Sequence, residues 1–416
     1  MIARLLRSYV PESSAGRSFA LVALLDSVGT GFYLAGSTIF FIRVIGLSDA
    51  QVGLGLAATG LTAFLATVPL GVLADRWGAK RMLIAYQLWR ALWFSALAFV
   101  HGPVAFFVVS ALLGVVERAV SPASQAVVSV AVPSKDRTRA MATMRSVRNV
   151  GFSLGALLTA PLMADGSALA YRTIILVDAA SFVFAALLLA RLKVPTAPPP
   201  VRRGGLSFLH GFTDRRYLGL TAVSCVLAVH MPVLAVALPL WTVRETDAPT
   251  ALVSALVVLN TVLAVLFQVP LAKGAEREGG GLRAMRLAGL ALIASCAMFA
   301  VAAAPLGTLF ACAVLVVATV LLTAGELWQS VGAWELSYKY APEHRKAEYL
   351  SIFALGNSAQ DVLGPPLVTV VVLGWGVAGW AALAALLLGA ALLLPLPVAR
   401  LDHRLATAEG ARTSTS

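Results

Sequence analysis

Long runs of apolar residues, separated by short polar or basic segments, dominate the sequence. A helix needs about 20 residues to cross the ~30 Å hydrocarbon core of a membrane. Because lipid offers the backbone no hydrogen bonds, runs of this length are predicted to be helices. They cover residues 18–43, 50–74, 81–100, 103–131, 139–164, 170–191, 216–241, 249–272, 283–303, 305–333, 346–373 and 375–398. The pattern therefore predicts an all-α polytopic membrane protein with twelve transmembrane helices.

The predicted helices fall into two similar sets of six. Residues 68–78 (VPLGVLADRWG) match residues 269–279 (VPLAKGAEREG) at six positions, with an offset of 201 in a chain of 416 residues. An acid, Asp75, aligns with another acid, Glu276. Parallel six-helix repeats are typical of transporters whose halves move about a central site. The predicted divisions are an N-terminal half at 1–191, a cytoplasmic Pro/Arg/Gly linker at 192–215, and a C-terminal half with a short cytoplasmic tail at 216–416.

Composition and charge agree with a membrane protein. Hydrophobic residues make up 59% of the chain and charged residues only 12%, against roughly a quarter charged in soluble proteins. The net charge of +12 is unevenly placed: with both termini inside, cytoplasmic segments hold 25 of the 32 Lys and Arg residues and outer loops hold three. This asymmetry orients membrane proteins and attracts anionic inner-leaflet lipid. It predicts the cytoplasmic membrane and cytoplasmic termini, with no nucleic-acid partner.

The turn between predicted helices 2 and 3 carries glycines and charges in a specific order. Glycines permit a sharp turn and close backbone approach, and an aspartate there can meet the positive N-terminal end of a helix or a facing arginine. We expect a conformational latch, with the basic residues anchored at the inner headgroups. The latch residues are Gly71, Asp75, Arg76, Gly78, Lys80 and Arg81. Their order resembles the loop 2–3 signature of the major facilitator superfamily.

The resemblance implies a fold and a class of activity. Members of that superfamily have two pseudo-symmetric six-helix halves, with helices 1, 4, 7 and 10 around a central cavity. A looser resemblance, to the bacterial drug:proton antiporter branch, rests on Arg118 in helix 4 and on Gly151, Gly155 and Pro161 in helix 5. It implies a monomeric transporter without cofactors that moves a small molecule, with protons as the coupling ion.

Several ionisable residues lie inside predicted helices, where each costs at least ~2.5 kcal/mol to insert and is a candidate functional residue. On helix 1, Asp26 begins a polar stripe at steps of 4, 3 and 4 residues, a single helical face. Similar stripes include Arg118 on helix 4 and Glu326 on helix 10. The candidates for proton coupling or substrate contact are Asp26, Tyr33, Glu117, Arg118, Glu326 and Asp361. The alternative for the acids is a structural ion pair between helices. Asp178 lies on helix 6, which is peripheral in the superfamily, so the resemblance implies a structural role for it.

Motifs of other classes are absent or misplaced. Residues 151–155 (GFSLG) match the G-x-S-x-G nucleophile elbow, but that motif needs a strand before it, whereas this one lies in a helical run and fits close helix packing. The sequence contains no phosphate loop or H-E-x-x-H motif. Its three cysteines, Cys225, Cys296 and Cys312, have no metal-site spacing. We therefore expect neither an enzyme nor a metal or cofactor site.

Three function classes are compatible with the sequence. The first is a proton-driven secondary exporter of a small amphipathic molecule, which the looser resemblance favours. The second is an importer or uniporter of a metabolite or lipid-like substrate. The third is a transporter-like sensor or scaffold. Counterflow in vesicles separates the first two from the third, and the response of outward flux to a pH gradient separates the first from the second.

The charge asymmetry predicts which loops face the cytoplasm. In a background without the native cysteines, Glu245→Cys should react with an impermeant thiol reagent in intact cells, and Arg203→Cys should react only after the cells are opened. The reason is that the 203 segment is basic and predicted cytoplasmic, whereas 245 follows helix 7 on the outer side. If intact cells are labelled at residue 203 and not at residue 245, the predicted orientation is wrong and the opposite one holds.

Overall fold

The computed structural model describes residues 14–133, 136–192, 210–275, 277 and 279–413, and throughout these residues the regular structure is helical. The first six membrane-length helices are named in chain order. They are α1 (Ser14–Arg43), α2 (Asp49–Trp77), α3 (Ala79–Leu97), α4 (Gly102–Glu117 and Val120–Ala131), α5 (Arg137–Asp165) and α6 (Ala168–Arg191).

The second six follow the same pattern. They are α7 (Arg215–Leu227, His230–Pro232, the π-helical Val233–Ala237, and Leu238–Glu245), α8 (Leu252–Ala275), α9 (Gly280–Ala302), α10 (Thr308–Tyr340), α11 (Lys346–Leu367 and the π-helical Val368–Leu373) and α12 (Val377–Leu393 and Pro395–Thr413). Ten helices of the described residues are long and apolar enough to cross a membrane. With α3 and α11, they make up the twelve that the sequence predicts.

The chain forms two compact units. The first comprises Met1–Phe208 and Ala341–Ala354, and the second comprises Leu209–Tyr340 and Leu355–Ser416. The predicted linker at 192–215 falls largely on residues outside those the structure describes. The membership of 341–354 in the first unit is not apparent from the sequence repeat, and it places the N-terminal turns of α11 beside α2.

Aromatic side chains fill the core of the first unit. Phe41 of α1 packs against Phe106 of α4 with ring centroids 4.8 Å apart, and Phe94 of α3 packs against Phe182 of α6 at 5.3 Å. Large apolar side chains also cover the outside of the molecule, as at Leu157, which is 71% exposed. Apolar residues on the outer faces of long helices are what lipid contact requires.

Glycines allow α1 and α5 to approach backbone to backbone. A Cβ atom added at Gly155 would lie 2.1 Å from the carbonyl oxygen of Val28, and one at Gly31 would lie 2.5 Å from that of Phe152. Gly151 faces Ser27 in the same way. The close-packing face predicted from the GFSLG segment is therefore confirmed, and the segment lies within one continuous helix.

Helix α4 is broken where the sequence pattern predicts a continuous helix. Its first segment ends at Glu117 and its second begins at Val120. Pro122 explains the break, because its ring clashes with the carbonyl of the residue four positions earlier, which is Arg118. Arg118 and Ala119 keep right-handed helical dihedrals at this point, and the polar stripe along helix 4 stays a prediction.

The contact between α1 and α5 predicts a stability difference between two glycine substitutions. Gly155→Ala should destabilise the protein by ~1–3 kcal/mol, since the added methyl group overpacks a backbone contact. Gly60→Ala is the matched control: a Cβ there meets nothing within 4 Å, so alanine should be neutral or slightly stabilising in the helix. Thermal unfolding in detergent measures both. Equal midpoints would contradict the close packing.

Candidate functional site

The turn between α2 and α3 is built on Gly78, which ends one helix and begins the next. Its φ of 93° lies in a region that side chains rarely adopt. Gly71, two turns earlier on α2, faces α11: a Cβ atom at this position would lie 2.2 Å from Ser351 Oγ and 2.9 Å from the carbonyl oxygen of Ala347. Both glycines of the predicted latch therefore have a steric reason, one for the turn and one for close packing.

Asp75 receives two backbone hydrogen bonds at the N-terminus of α11. The amides of Ala347 and Glu348 donate to its two carboxylate oxygens, each at 2.8 Å. The first turn of a helix has amides without partners in the helix, and it carries a partial positive charge. Of the two contacts predicted for Asp75, the structure thus contains the one with a helix N-terminus. Arg345 pairs with the Glu348 side chain at 3.4 Å and adds positive charge nearby.

The basic latch residues differ among themselves. Lys80 Nζ donates to the carbonyl oxygens of Ala190 at 3.1 Å and Leu192 at 2.7 Å, so it caps the C-terminal end of α6. Arg76 and Arg81 are exposed, which fits the predicted anchoring at headgroups. Lys80 is thereby tied to protein carbonyls and not only to lipid.

Arg90 of α3 lies at the centre of a buried polar cluster in the first unit. Its Nη1 donates to Asp26 Oδ1 of α1 at 2.8 Å and to Gln87 Oε1 at 3.1 Å, and Gln87 Nε2 also donates to Asp26 Oδ1 at 3.0 Å. Glu117 of α4 approaches Arg90 Nε at 3.8 Å. The guanidinium stacks 3.7 Å from the ring centroid of Phe182 on α6. Four helices therefore meet at one arginine.

The other N-terminal candidates lie around this cluster or away from it. Tyr33 packs edge-on against Phe94 at 4.9 Å, in the aromatic core about two turns from Asp26. Arg118 lies at the break in α4, and its side chain is partly buried. The structure thus brings Asp26 and Glu117 together through Arg90.

In the second unit, Glu326 of α10 is buried and held by a neutral amide. Asn260 Nδ2 of α8 donates to Glu326 Oε2 and to Thr323 Oγ1, both at 3.0 Å. Glu326 is 6% exposed and Asn260 is equally buried. The polar stripe predicted on helix 10 is therefore present, and its carboxylate lies inside protein and not in lipid.

The structure does not describe the side chains of two residues that the sequence analysis singled out. Asp361 lies on α11, but its side-chain placement is not described, and Glu276 is not described at all. No group of three His, Cys, Asp or Glu side chains that could hold a metal occurs among the described residues.

Sequence reasoning missed two residues of these clusters. Arg90 was visible only as one arginine within an apolar run, although Gln87 one turn earlier marks a polar face on helix 3. Asn260 gave no signal beyond being an amide within the apolar run of helix 8. Both are recognised only when the helices that face them are known.

Comparison with known proteins finds relatives of similar sequence. The chain is similar to "Multidrug resistance protein MdtH" of Shigella boydii serotype 4 (strain Sb227), with 26% identity over 330 residues that cover 79% of this chain and 78% of the relative. The protein of the same name from Escherichia coli (strain K12 / DH10B) is 25% identical over 330 residues, 79% of each chain.

Solved structures share the fold. A bacterial homologue of the iron transporter ferroportin, in its outward-facing state, matches with a TM-score of 0.73 and 14% identity, covering 94% of this chain and 100% of its own. The transporter FucP in the outward conformation matches with a TM-score of 0.72 and 14% identity, covering 94% and 99%. The human organic anion transporter MFSD10 (TETRAN) matches with a TM-score of 0.69 and 16% identity, covering 92% and 99%.

The family assignment follows from the chain itself. Its sequence matches the Major Facilitator Superfamily over residues 19–359, most of the chain. The twelve helices and the loop 2–3 turn agree with that match. The protein is a multi-pass membrane transporter of the major facilitator superfamily.

Proposed function

We propose that this protein is a proton-driven exporter of small amphipathic molecules, a monomer in the cytoplasmic membrane with both termini inside. The observation that carries export is the similarity, over four fifths of both chains, to relatives named multidrug resistance proteins. The partly buried Asp26 and the buried Glu326 support proton coupling, because an acid enclosed in protein can take up a proton from one side and release it to the other. An importer or uniporter of a metabolite or lipid-like substrate is the alternative.

The contact of Asp75 with the N-terminus of α11 is proposed to bias the transport cycle. Two hydrogen bonds to a carboxylate are charge-assisted, and each is worth ~1.5–3 kcal/mol. A conformational change that separates α2 from the first turn of α11 would have to break both. The state in which they are made is therefore favoured until another interaction compensates, which is how a latch sets the balance between two states.

Proton coupling in the second unit is proposed to reside on Glu326. The Asn260 amide can donate to the carboxylate, and after rotation its oxygen can accept from the protonated acid, so this partner tolerates both forms. The Arg90 guanidinium offers Asp26 no such tolerance, because arginine only donates. Glu326 is thus suited to carry a proton. Asp26 is proposed to contribute to coupling through its ion pair with Arg90, which can form or break during the transport cycle.

The proposed function is tested in a host that lacks its own efflux pumps. Cells that make this protein should accumulate less ethidium and should tolerate more of several amphipathic compounds than cells with an empty vector. An uncoupler that collapses the proton gradient should abolish the difference. Raised accumulation that depends on the protein would instead favour the importer. An uncoupler-insensitive flux would contradict proton drive.

Removing the charge of Asp75 tests the latch. Asp75→Asn should insert normally but reduce turnover by about tenfold to a hundredfold, since losing ~1.5–3 kcal/mol from one state shifts the equilibrium by that factor. Initial rates of ethidium efflux from cells with matched expression measure the effect. Glu276→Gln, at the second copy of the repeat, is the matched control and should be milder. If Asp75→Asn exports ethidium at the wild-type rate, the latch proposal is wrong, and the charges of this loop serve only to orient the protein in the membrane.

Neutralising Glu326 tests coupling in the second unit. Glu326→Gln should abolish ethidium accumulation driven by an imposed pH gradient in inverted vesicles, while exchange of ethidium down its own gradient stays measurable. The substitution keeps the shape and the Asn260 contact but removes the site for the proton. Glu335→Gln, the same change nine positions further along α10, is the control and should retain gradient-driven uptake. Full gradient-driven uptake by Glu326→Gln would rule this carboxylate out.

A further inference from the structure

Asp178 of α6 is a completely buried acid without a hydrogen-bond partner. Its exposure is 0%, and neither carboxylate oxygen has a partner among the described residues. The resemblance implies a structural role for this residue, and its oxygens form none of the ion pairs described. An isolated buried carboxylate is among the costliest groups a protein can hold, unless it takes up a proton or finds a cation.

The carboxylate of Asp178 points to the face of α1 that carries Asp26. A Cβ atom placed at Gly29, one turn from Asp26, would lie 2.9 Å from Asp178 Oδ1. Phe182, one turn further along α6, stacks against the Arg90 guanidinium at 3.7 Å. Asp178 therefore borders the Arg90 cluster.

The charged and titratable groups that face Asp178 come from three helices. Asp26 and Tyr33 lie on α1, Arg90 on α3 and Glu117 on α4, and all four interact electrostatically with Asp178. Helix α5, which also packs on α6, contributes the apolar Leu162 and Met163 to this core. Along α6 itself the nearest charge is Arg172, six positions away or ~9 Å along the axis.

The cluster around Arg90 contains fewer cations than buried or partly buried acids. Glu117 is 46% exposed on its side chain and can be solvated. The remainder is two carboxylates, the partly buried Asp26 and the fully buried Asp178, with one buried guanidinium. Arg90 gives its Nη1 to Asp26, and its Nε has no hydrogen-bond partner among the described residues. A single arginine thus neutralises one acid and leaves the second to be neutralised by other means.

We propose that Asp178 is a proton-binding site of the first unit, and that Arg90 controls it by exchanging between Asp26 and Asp178. This inference rests on the proposed proton-driven transport and adds a site on a helix that the proposed function does not use. While Arg90 is paired with Asp26, a proton from water forms an O–H bond at an Asp178 oxygen. When Arg90 turns to Asp178, that bond breaks, the proton returns to water on the other side, and Asp26 is left to accept the next cation or proton. No electrons are transferred in this exchange.

Infrared spectroscopy of the purified protein in lipid vesicles tests the site with the proton itself as the ligand. At pH 7 the wild type should show the C=O stretch of a protonated carboxyl group that is missing from Asp178→Asn. Asp165→Asn, at an exposed aspartate, is the matched control and should leave the band unchanged. The same component should also disappear in Asp26→Asn, because Arg90 loses its partner and pairs with Asp178.

The outcomes are separable. An Asp178→Asn spectrum identical to that of the wild type would overturn the proton site, and an unchanged Asp178 component in Asp26→Asn would overturn control by Arg90. Because Asp26→Asn retains the native Asp178, it provides a test even if Asp178→Asn folds poorly.

Transport provides an independent readout. Gradient-driven ethidium uptake should fall at least about tenfold in Asp178→Asn, and uptake equal to the wild type would contradict a role in coupling. If ethidium uptake by the wild type does not respond to the pH gradient, the proposal of proton-driven export is wrong. The infrared comparison still decides whether Asp178 binds a proton.

Discussion

The architecture depends on how charge is neutralised inside helices that face lipid. A charge in hydrocarbon without a partner is too costly to keep, and Arg90 meets this constraint by drawing α1, α3, α4 and α6 to one point. Its contacts with Asp26 and Phe182, at 2.8 Å and 3.7 Å, fix the facing sides of these helices. The aromatic core around Phe94 and the glycine contacts at Gly155 complete the same packing.

The two units treat their buried acids differently, and this difference is the basis of the functional account. In the first unit a cation that only donates is paired with Asp26 while Asp178 is left unpaired. In the second unit a neutral amide, Asn260, accommodates Glu326 in either protonation state. In the proposed mechanism, a fixed positive charge beside excess acids makes proton occupancy of the first unit depend on where Arg90 points. In the second unit, the proposal lets the protonation of Glu326 follow the proton concentration on the accessible side.

Much of the fold was predictable, because membrane length and hydrophobic runs determine helices one at a time. The turn at Gly78 and the contact of Asp75 with a helix N-terminus also follow from local chemistry. The interruption of α4 at Arg118 is marked in the sequence by Pro122, because proline cannot donate a hydrogen bond to the carbonyl four residues earlier. The Arg90 and Asn260 partnerships were not predictable: spacing along one helix shows which residues share a face, but not which helix that face meets.

The most direct test of proton-driven export is whether a substrate gradient alone moves protons. Purified protein in vesicles that enclose a pH-sensitive dye, with equal pH on both sides, should change the internal pH when an ethidium gradient is imposed. Proton movement opposite in direction to ethidium, and absent from protein-free vesicles, is the predicted result. Ethidium movement with no accompanying change in internal pH would contradict the account.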